Sequence, residues 1–384
     1  MNRVGLFGGT FDPPHIGHRL ILQAAAATKF FDKIIVVPAA VPPRKSIINV
    51  SMSSYRYEMT NIMVDNYDFD TLVTVSDIEL RRKDKSYTID TIREIKRESC
   101  NETEVYLICG SDILYEIETW YKPNELLSET GLFVARRPAI GQTEQEDKAN
   151  EIRTGYRTDI RFFDAPLIDV SSSVIRDMFK GSFSGLSEYI DPEIETWINT
   201  NHIYDSDFDM KCLSEESMTI LAGYEIKLRE YLSSYRLIHS VNTMRMCVSL
   251  AVTNGHPPFK CAVAGLLHDC AKYKHGCNGI QHSYDGSEIV STEFGIKDEE
   301  ILDAVKFHTT SRARAGMTEK IVFVADKIEP SRKFHRIEEL RELSYSDLDV
   351  GYRECLKDII VSLELKGLRA HRDTYEAYEE MKSK

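Results

Sequence analysis

Several features that would settle the class of this 384-residue chain early are missing from it. Its eight cysteines form no CxxC pair and no regular frame, which argues against a zinc knuckle or a disulfide scaffold and fits thiols kept reduced in a cytoplasm. No apolar run approaches the ~18 residues of a membrane span, so no membrane partner is expected. The strand-like run Val4 to Phe7 leaves no room for a signal peptide ahead of it, and the expected location is cytoplasmic. Positive charge is short: 48 Lys and Arg stand against 61 Asp and Glu, a net charge of −13. A nucleic-acid polymer requires a basic face to track its phosphates. Small anions require only local charge, such as Arg44-Lys45, Arg136-Arg137 and Arg176. Neither a Walker A loop nor a G-x-G-x-x-G fingerprint occurs, which removes two familiar nucleotide-binding turns.

The length that remains suits two domains. Val4 to Phe7, Ile34 to Val37, Leu72 to Val75, Val105 to Ile108 and Leu132 to Ala135 are short β-rich runs separated by helical stretches. That alternation predicts a parallel sheet with helices on both faces. Beyond Tyr204 a polar stretch intervenes and helical signals then dominate. The expected organisation is an α/β domain over residues 1–205, a linker over 206–216 and an all-α domain over 217–384.

The most informative stretch reads Gly5-Leu-Phe-Gly8-Gly9-Thr10-Phe11-Asp12-Pro-Pro-His15-Ile-Gly-His18. A strand runs into two glycines, a proline-bearing loop and two histidines at the mouth of an Ala-rich helix. Gly8 and Gly9 are expected to take positive φ and let the backbone approach a ligand. The helix start offers unpaired N–H groups to an anion, and His15 and His18 add donors. A second cluster, Ser171-Ser172-Ser173-Val-Ile-Arg176, reads as a serine-capped helix start with Arg176 on its first turn, again a cradle for an anion.

The first stretch resembles the His-x-Gly-His signature of the nucleotidyltransferases. Together with Ser86-Tyr-Thr88-Ile-Asp-Thr91, Gly110-Ser-Asp112, Trp120, Val134-Ala-Arg136-Arg-Pro138 and the serine cluster, it resembles bacterial nicotinate-nucleotide adenylyltransferases over about residues 1–205. The resemblance implies a Rossmann-like fold, with Gly8, Gly9, Thr10, Phe11 and Ser171 to Ser173 binding the nucleotide and ATP bringing Mg²⁺. It further implies that His15, His18, Lys45 and Arg176 neutralise the reacting phosphates. Thr88, Asp112, Trp120 and Arg136 would bind nicotinate mononucleotide, with Trp120 stacked on the pyridine ring. Sister families with pantetheine or cytidine substrates share the histidine turn, so another acceptor is an alternative. Arg44 and Ser111 stand where His and Ala are frequent in the family.

In the C-terminal half, His239 lies in a helical run and His268-Asp269 ends the apolar run Ala262 to Leu267, while His282, His308 and Asp326 follow at wide spacing. Six imidazole and carboxylate groups on a helical scaffold can bind one or two hard or borderline divalent metals, with iron, manganese and cobalt all suited. The set resembles the HD phosphohydrolases. It is closer to those acting on symmetrical diadenosine tetraphosphate, through Arg236-Leu-Ile-His-Ser240, Leu266-Leu-His-Asp269 with Ala271-Lys272, His282-Ser283, His308-Thr309, Ala325-Asp326 and Ile328-Glu-Pro330. The resemblance implies hydrolysis of dinucleoside polyphosphates, with Lys272 on a phosphate oxygen. Thr310 to Gly316 is longer than the family's usual turn and is expected to reshape the substrate mouth. The alternative is a nucleotide-sensing or oligomerising module without turnover.

Overall fold

The computed structural model describes residues 2–40, 46–82, 86–99, 102–136, 141–166, 168–181, 185–272 and 279–383. Two compact units divide them, Met1–Trp197 and Ile198–Lys384. This contact boundary falls inside a helix, a few residues ahead of the expected boundary at 205.

The first unit alternates strand and helix: β1 (Asn2–Gly9), α1 (Ile16–Ala27), β2 (Lys33–Pro38), α2 (Ser53–Asp65), β3 (Leu72–Val75), α3 (Thr88–Glu98), β4 (Thr103–Gly110), α4 (Ile113–Glu116), α5 (Pro123–Glu129), β5 (Gly131–Ala135), α6 (Gln142–Tyr156), β6 (Ile160–Phe163), α7 (Ser172–Gly181) and α8 (Pro192–Thr200). The six strands form one parallel sheet in the order β3-β2-β1-β4-β5-β6. The central strands are buried on both faces, which explains why they read as continuous apolar runs rather than alternating ones. Val4 and Leu6 of β1, Val105 and Leu107 of β4 and Leu132 and Val134 of β5 pack with Ile89, Ile92 and Ile95 of α3 in one core. Between β1 and β4 the strand order reverses direction, and ligands of open α/β sheets lie outside the carboxyl ends at such a point. Gly8-Gly9 end β1, and Gly110 ends β4 with Ser111 directly after it.

The second unit is helical: α9 (Glu215–Leu228), α10 (Ser234–Thr253), α11 (Pro258–Leu267), α12 (Gln281–Thr292), α13 (Glu299–Phe307), α14 (Met317–Ile328), α15 (Ile337–Ser346), α16 (Leu348–Leu365) and α17 (Arg372–Lys382). Ser214, Ser233, Asp298 and Asp347 cap α9, α10, α13 and α16 with side-chain acceptors, each supplying a partner for an otherwise orphaned helix-start N–H. Helix α10 is buried on every face from Leu237 to Val248 and forms the centre of the unit. Phe208, Met210 and Leu213, in the stretch expected as linker, are buried, and the Phe208 carbonyl accepts from Arg245 Nε of α10 at 3.1 Å. Among the described residues no helix is long and apolar enough to cross a membrane.

Candidate active sites

The first site is assembled from main chain at the end of β1. Gly8 and Gly9 still pair with Val37 and Pro38 of β2, and neither has positive φ; the left-handed residue is Phe11, at φ 50°. This corrects the positive φ expected of the two glycines. Their use is space: a Cβ on Gly9 would meet the buried Phe11 ring at 2.9 Å, while one on Gly8 would meet nothing within 4 Å, so only Gly8 faces open room. Arg56 of α2, fully buried, holds the turn by donating to the carbonyls of Thr10 at 3.0 Å, Ala39 at 2.5 Å and Ala40 at 2.7 Å.

His15 and His18 face each other across the first turn of α1, with ring centroids 3.8 Å apart. The His15 backbone N–H donates to His18 Nδ1 at 3.2 Å. His18 Nδ1 is therefore an acceptor, and the ring's exchangeable proton sits on Nε2. Burial lowers the His15 imidazole to about 4, so His15 is neutral at pH 7. Gly17 is the residue between them that can tolerate this packing, since a Cβ there would lie 3.1 Å from the His15 ring.

The serine cluster is stitched to the glycine turn across the sequence. Ser172 Oγ donates to the Pro13 carbonyl at 2.9 Å and Arg176 Nη1 to the Asp12 carbonyl at 2.6 Å. The Arg176 guanidinium also lies 3.8 Å from the buried Asp12 carboxylate. Ser171 and Ser173 join hydroxyls at 2.8 Å at the exposed start of α7. Two helix N-termini, α1 and α7, are thus fixed together with their N–H groups, two imidazoles and one guanidinium.

Of the acceptor residues expected, Thr88 opens α3 and Asp112 immediately precedes α4. Trp120 packs against the sheet core, and its Nε1 is buried with no hydrogen-bond partner among the described residues. The Arg136 guanidinium is engaged by Glu146 at 2.8 Å and lies 4.2 Å over the Phe162 ring. Tyr87 and Tyr121, which sequence reading did not single out, stack at 4.1 Å beside Thr88 and Trp120. Lys45 falls outside the described residues.

The second site is made of side chains. Helices α10 and α11 approach so closely at Gly265 that a Cβ there would meet Cys247 Sγ at 2.6 Å. That contact sets His239 of α10 opposite His268, which follows α11, with ring centroids 5.2 Å apart. Two groups of three ligand atoms converge, His239 with His268 and Asp269, and Asp269 with His282 and His308. The buried Asp269 carboxylate is common to both. Its Oδ1 lies 3.3 Å from His282 Nε2, 3.4 Å from His308 Nε2 and 3.7 Å from His268 Nε2, and its Oδ2 4.0 Å from His239 Nε2. Asp326 Oδ1 stands 2.9 Å from His239 Nε2 and 3.6 Å from His268 Nε2.

The opposite ring nitrogens are all tied down. His268, His282 and His308 each turn Nδ1 to the carbonyl three residues earlier, Gly265 at 2.7 Å, Gly279 at 2.5 Å and Val305 at 2.7 Å. His239 Nδ1 meets the buried Glu329 carboxylate at 3.1 Å. A ring that donates Nδ1–H presents an Nε2 lone pair, so His282 and His308 bring two lone pairs within 3.1 Å of each other, an arrangement that repels unless a cation lies near. His268 Nε2 is buried and has no hydrogen-bond partner among the described residues. Mixed imidazole and carboxylate donors with these anchored tautomers fit divalent metal ions. Burial would lower His239, and Asp326 and Glu329 outweigh it, raising the ring to about 9.

Cations ring this cluster. Arg236 Nη1 donates to Asp269 Oδ2 and Lys272 Nζ to Asp269 Oδ1, both at 3.2 Å. A cavity of about 230 Å³ opens over the cluster, with Lys272, Lys327, Arg332 and Phe334 on its wall. Thr310 to Gly316 is not among the described lining; Thr310 accepts from Thr374 of α17 and Arg312 pairs with Asp303 and Glu319. Glu329 and Arg332 received no role from sequence reading, although the Ile328-Glu-Pro330 run was noted.

Residues 6–178 match the family model described as "Cytidylyltransferase-like", and residues 236–331 match that of the HD domain. The chain is 35% identical over 206 residues to a "Probable nicotinate-nucleotide adenylyltransferase" of Thermoanaerobacter sp. (strain X514), covering 53% of this chain and 95% of that relative. It is 31% identical over 204 residues to the protein of the same name from Clostridium perfringens (strain 13 / Type A), covering 53% and 98%. A solved structure from Clostridium acetobutylicum, described as a "predicted HD superfamily hydrolase involved in NAD metabolism", is 30% identical and covers 42% of this chain and 95% of its own, with a TM-score of 0.40.

Proposed function

The chain belongs to the nicotinate-nucleotide adenylyltransferase family, and we propose that its α/β unit transfers AMP from ATP to nicotinate mononucleotide, yielding deamido-NAD and pyrophosphate in NAD synthesis. The observation that carries this reading is the junction of the two motifs, Arg176 and Ser172 bonded to Asp12 and Pro13 beside the paired histidines. A 5′-phosphate oxygen of the mononucleotide forms a bond to the α-phosphorus of ATP, and the bond from that phosphorus to the bridging oxygen of the β-phosphate breaks. No covalent enzyme intermediate is required, so positioning and charge stabilisation do the catalytic work. His18 Nε2–H donates to an oxygen of the reacting phosphate, neutral His15 orders the turn, and Arg176 with the start of α7 binds the departing pyrophosphate. Mg²⁺ arriving with ATP supplies further charge there. Lys45 is assigned to the same phosphates and Thr88, Asp112, Trp120 and Arg136 to the acceptor. The test is a panel of acceptors with ATP: nicotinate mononucleotide is turned over at least about tenfold better than its amide, because donors set for a carboxylate are poorly matched by an amide. Equal turnover, or preference for a pantetheine or cytidine substrate, overturns the assignment.

For the helical unit the reading is a metal-dependent phosphohydrolase that cleaves dinucleoside polyphosphates such as diadenosine tetraphosphate to two ADP. The carrying observation is the single buried carboxylate, Asp269, shared by two ligand trios. Divalent ions held by His239, His268, Asp269, His282, His308 and Asp326 would supply charge that acidifies water and neutralises phosphoryl oxygens. Arg236 and Lys272 donate to Asp269 Oδ2 and Oδ1, and Lys272, which also lines the cavity, is assigned to a phosphate oxygen of the substrate. Metal analysis of the purified chain, paired with a diadenosine tetraphosphate assay, tests it. Protein that takes up no iron, manganese or cobalt favours the alternative of a sensing module. Both units act on small nucleotides, in keeping with a cytoplasmic enzyme.

A further inference from the structure

Asp326, like Asp269, has a carboxylate already claimed by a cation of the chain itself, and its partner Arg332 also reaches a ligating histidine. Arg332 Nη2 donates to Asp326 Oδ1 at 2.7 Å and lies 3.3 Å from His239 Nε2, and its Nε donates to the Asp326 carbonyl at 3.0 Å. The same guanidinium stands on the wall of the 230 Å³ cavity with Lys272 and Lys327. Phe334 shares that wall, 36% exposed, with Lys327 Nζ 5.5 Å from its ring centroid. Asp326 Oδ1 and His239 Nε2 are only 2.9 Å apart, so a guanidinium that touches both occupies the ground where a divalent ion would meet them, and two cations do not share it.

From this juxtaposition we propose that Arg332 alternates between two partners: it holds Asp326 when that carboxylate is free, and it binds a phosphate of the substrate once a metal ion has taken Asp326. The proposal rests on the metal-dependent reading of the helical unit and assigns the substrate class by charge. Released from Asp326, Arg332 joins Lys272 and Lys327 as three positive groups on one wall, a number suited to a chain of phosphates rather than to a monophosphate. The exposed face of Phe334 beside them offers a stacking surface for a base.

The experiment uses the full-length chain, its Arg332→Ala and Arg332→Lys variants, and three readouts: Mn²⁺ binding followed by electron paramagnetic resonance without nucleotide, KM and kcat for diadenosine tetraphosphate, and inhibition by inorganic tripolyphosphate. Arg332→Ala is expected to bind Mn²⁺ at least as tightly as wild type, because Asp326 is freed. Its KM rises about 10- to 100-fold, the worth of a charge-assisted hydrogen bond, and tripolyphosphate inhibition weakens by the same factor. Arg332→Lys falls between. An Arg332→Ala variant with unchanged KM and inhibition overturns the proposal and leaves the hydrolase reading intact. One that loses Mn²⁺ together with activity makes Arg332 a buttress of the site and overturns it as well. Wild type that binds no Mn²⁺ removes both the hydrolase reading and this inference.

Discussion

At the carboxyl ends of the sheet the candidate transfer site is built mostly from main chain: two helix starts, a strand end and a turn held by carbonyl bonds from Arg56, with His15 neutral and His18 poised as a donor. In the helical unit the candidate hydrolytic site is built almost wholly from side chains, whose Nε2 and carboxylate atoms converge on one buried Asp269. The contrast follows from what each ligand offers. A nucleotide carries its own charge and metal, so the protein supplies preorganised N–H groups that cost no desolvated charge. A resident metal requires lone pairs in the interior, and these are stable there only if each is anchored from behind and balanced by opposite charge. Damage should therefore spread differently: locally and by degrees in the first site, collectively in the second.

The sharpest way to break this comparison is Asp269→Ala. Because both trios share that carboxylate, removing it is expected to take metal content to near zero and diadenosine tetraphosphate hydrolysis to background, with adenylyl transfer unchanged. Metal analysis and the two assays on one preparation check it. A variant that keeps half its metal would show that the trios are independent. In the first site the matching change, His18→Ala, should lower kcat for transfer by about 10²- to 10³-fold, equivalent to about 2.7–4 kcal/mol at comparable sites, while hydrolysis is untouched. A rate within a few-fold of wild type would leave the main chain as the whole of that site.

Next in size is Glu329→Gln, which keeps the shape behind His239 and removes the charge. Partners that orient a ligating histidine are worth about 10- to 100-fold in metal affinity, so Mn²⁺ binding should weaken by that factor without being abolished. An unchanged affinity would mean that His239 is positioned by packing in α10 alone.

Much of this was legible from sequence, for reasons that differ by region. β1, β2, β4 and β5 announce themselves because a strand buried on both faces reads as an uninterrupted apolar run. β6 does not: it is four residues long, lies at the sheet edge and carries the exposed Arg161. The boundary between units was placed from a change in composition near 205, whereas Ile194 and Ile198 of α8 are both buried, so no polar break marks the point where contacts divide. The glycine turn was recognised but its geometry was not, because strand pairing carries through Gly9 and leaves the left-handed position to Phe11. The ligands of the helical unit were visible as residue types. Their anchors were not, since Gly265, Gly279 and Val305 contribute carbonyls that any residue possesses. Glu329 and Arg332 have the opposite difficulty: each is a common charged residue whose role exists only through its neighbour in space.

The smallest expected effect tests the claim that the first site works with a neutral His15. Its folded value is about 4, against about 6.5 in an unfolded chain. Between those values the unfolded chain binds a proton that the folded one does not, so stability is lost as pH falls from about 6.5 toward 4. At pH 5.5 the loss from this one group is about 1.4 kcal/mol. Both tryptophans of the chain, Trp120 and Trp197, lie in the α/β unit, so their fluorescence follows its unfolding without the helical unit. Denaturant unfolding at pH 7.5 and 5.5 should show wild type losing about 1.4 kcal/mol more than His15→Gln across that interval, because the glutamine removes the titration and leaves the rest of the unit's acid sensitivity in place. Equal losses in the two proteins would mean that folded His15 takes up its proton over the same range as the unfolded chain, and the first site would then gain a cation at mildly acid pH.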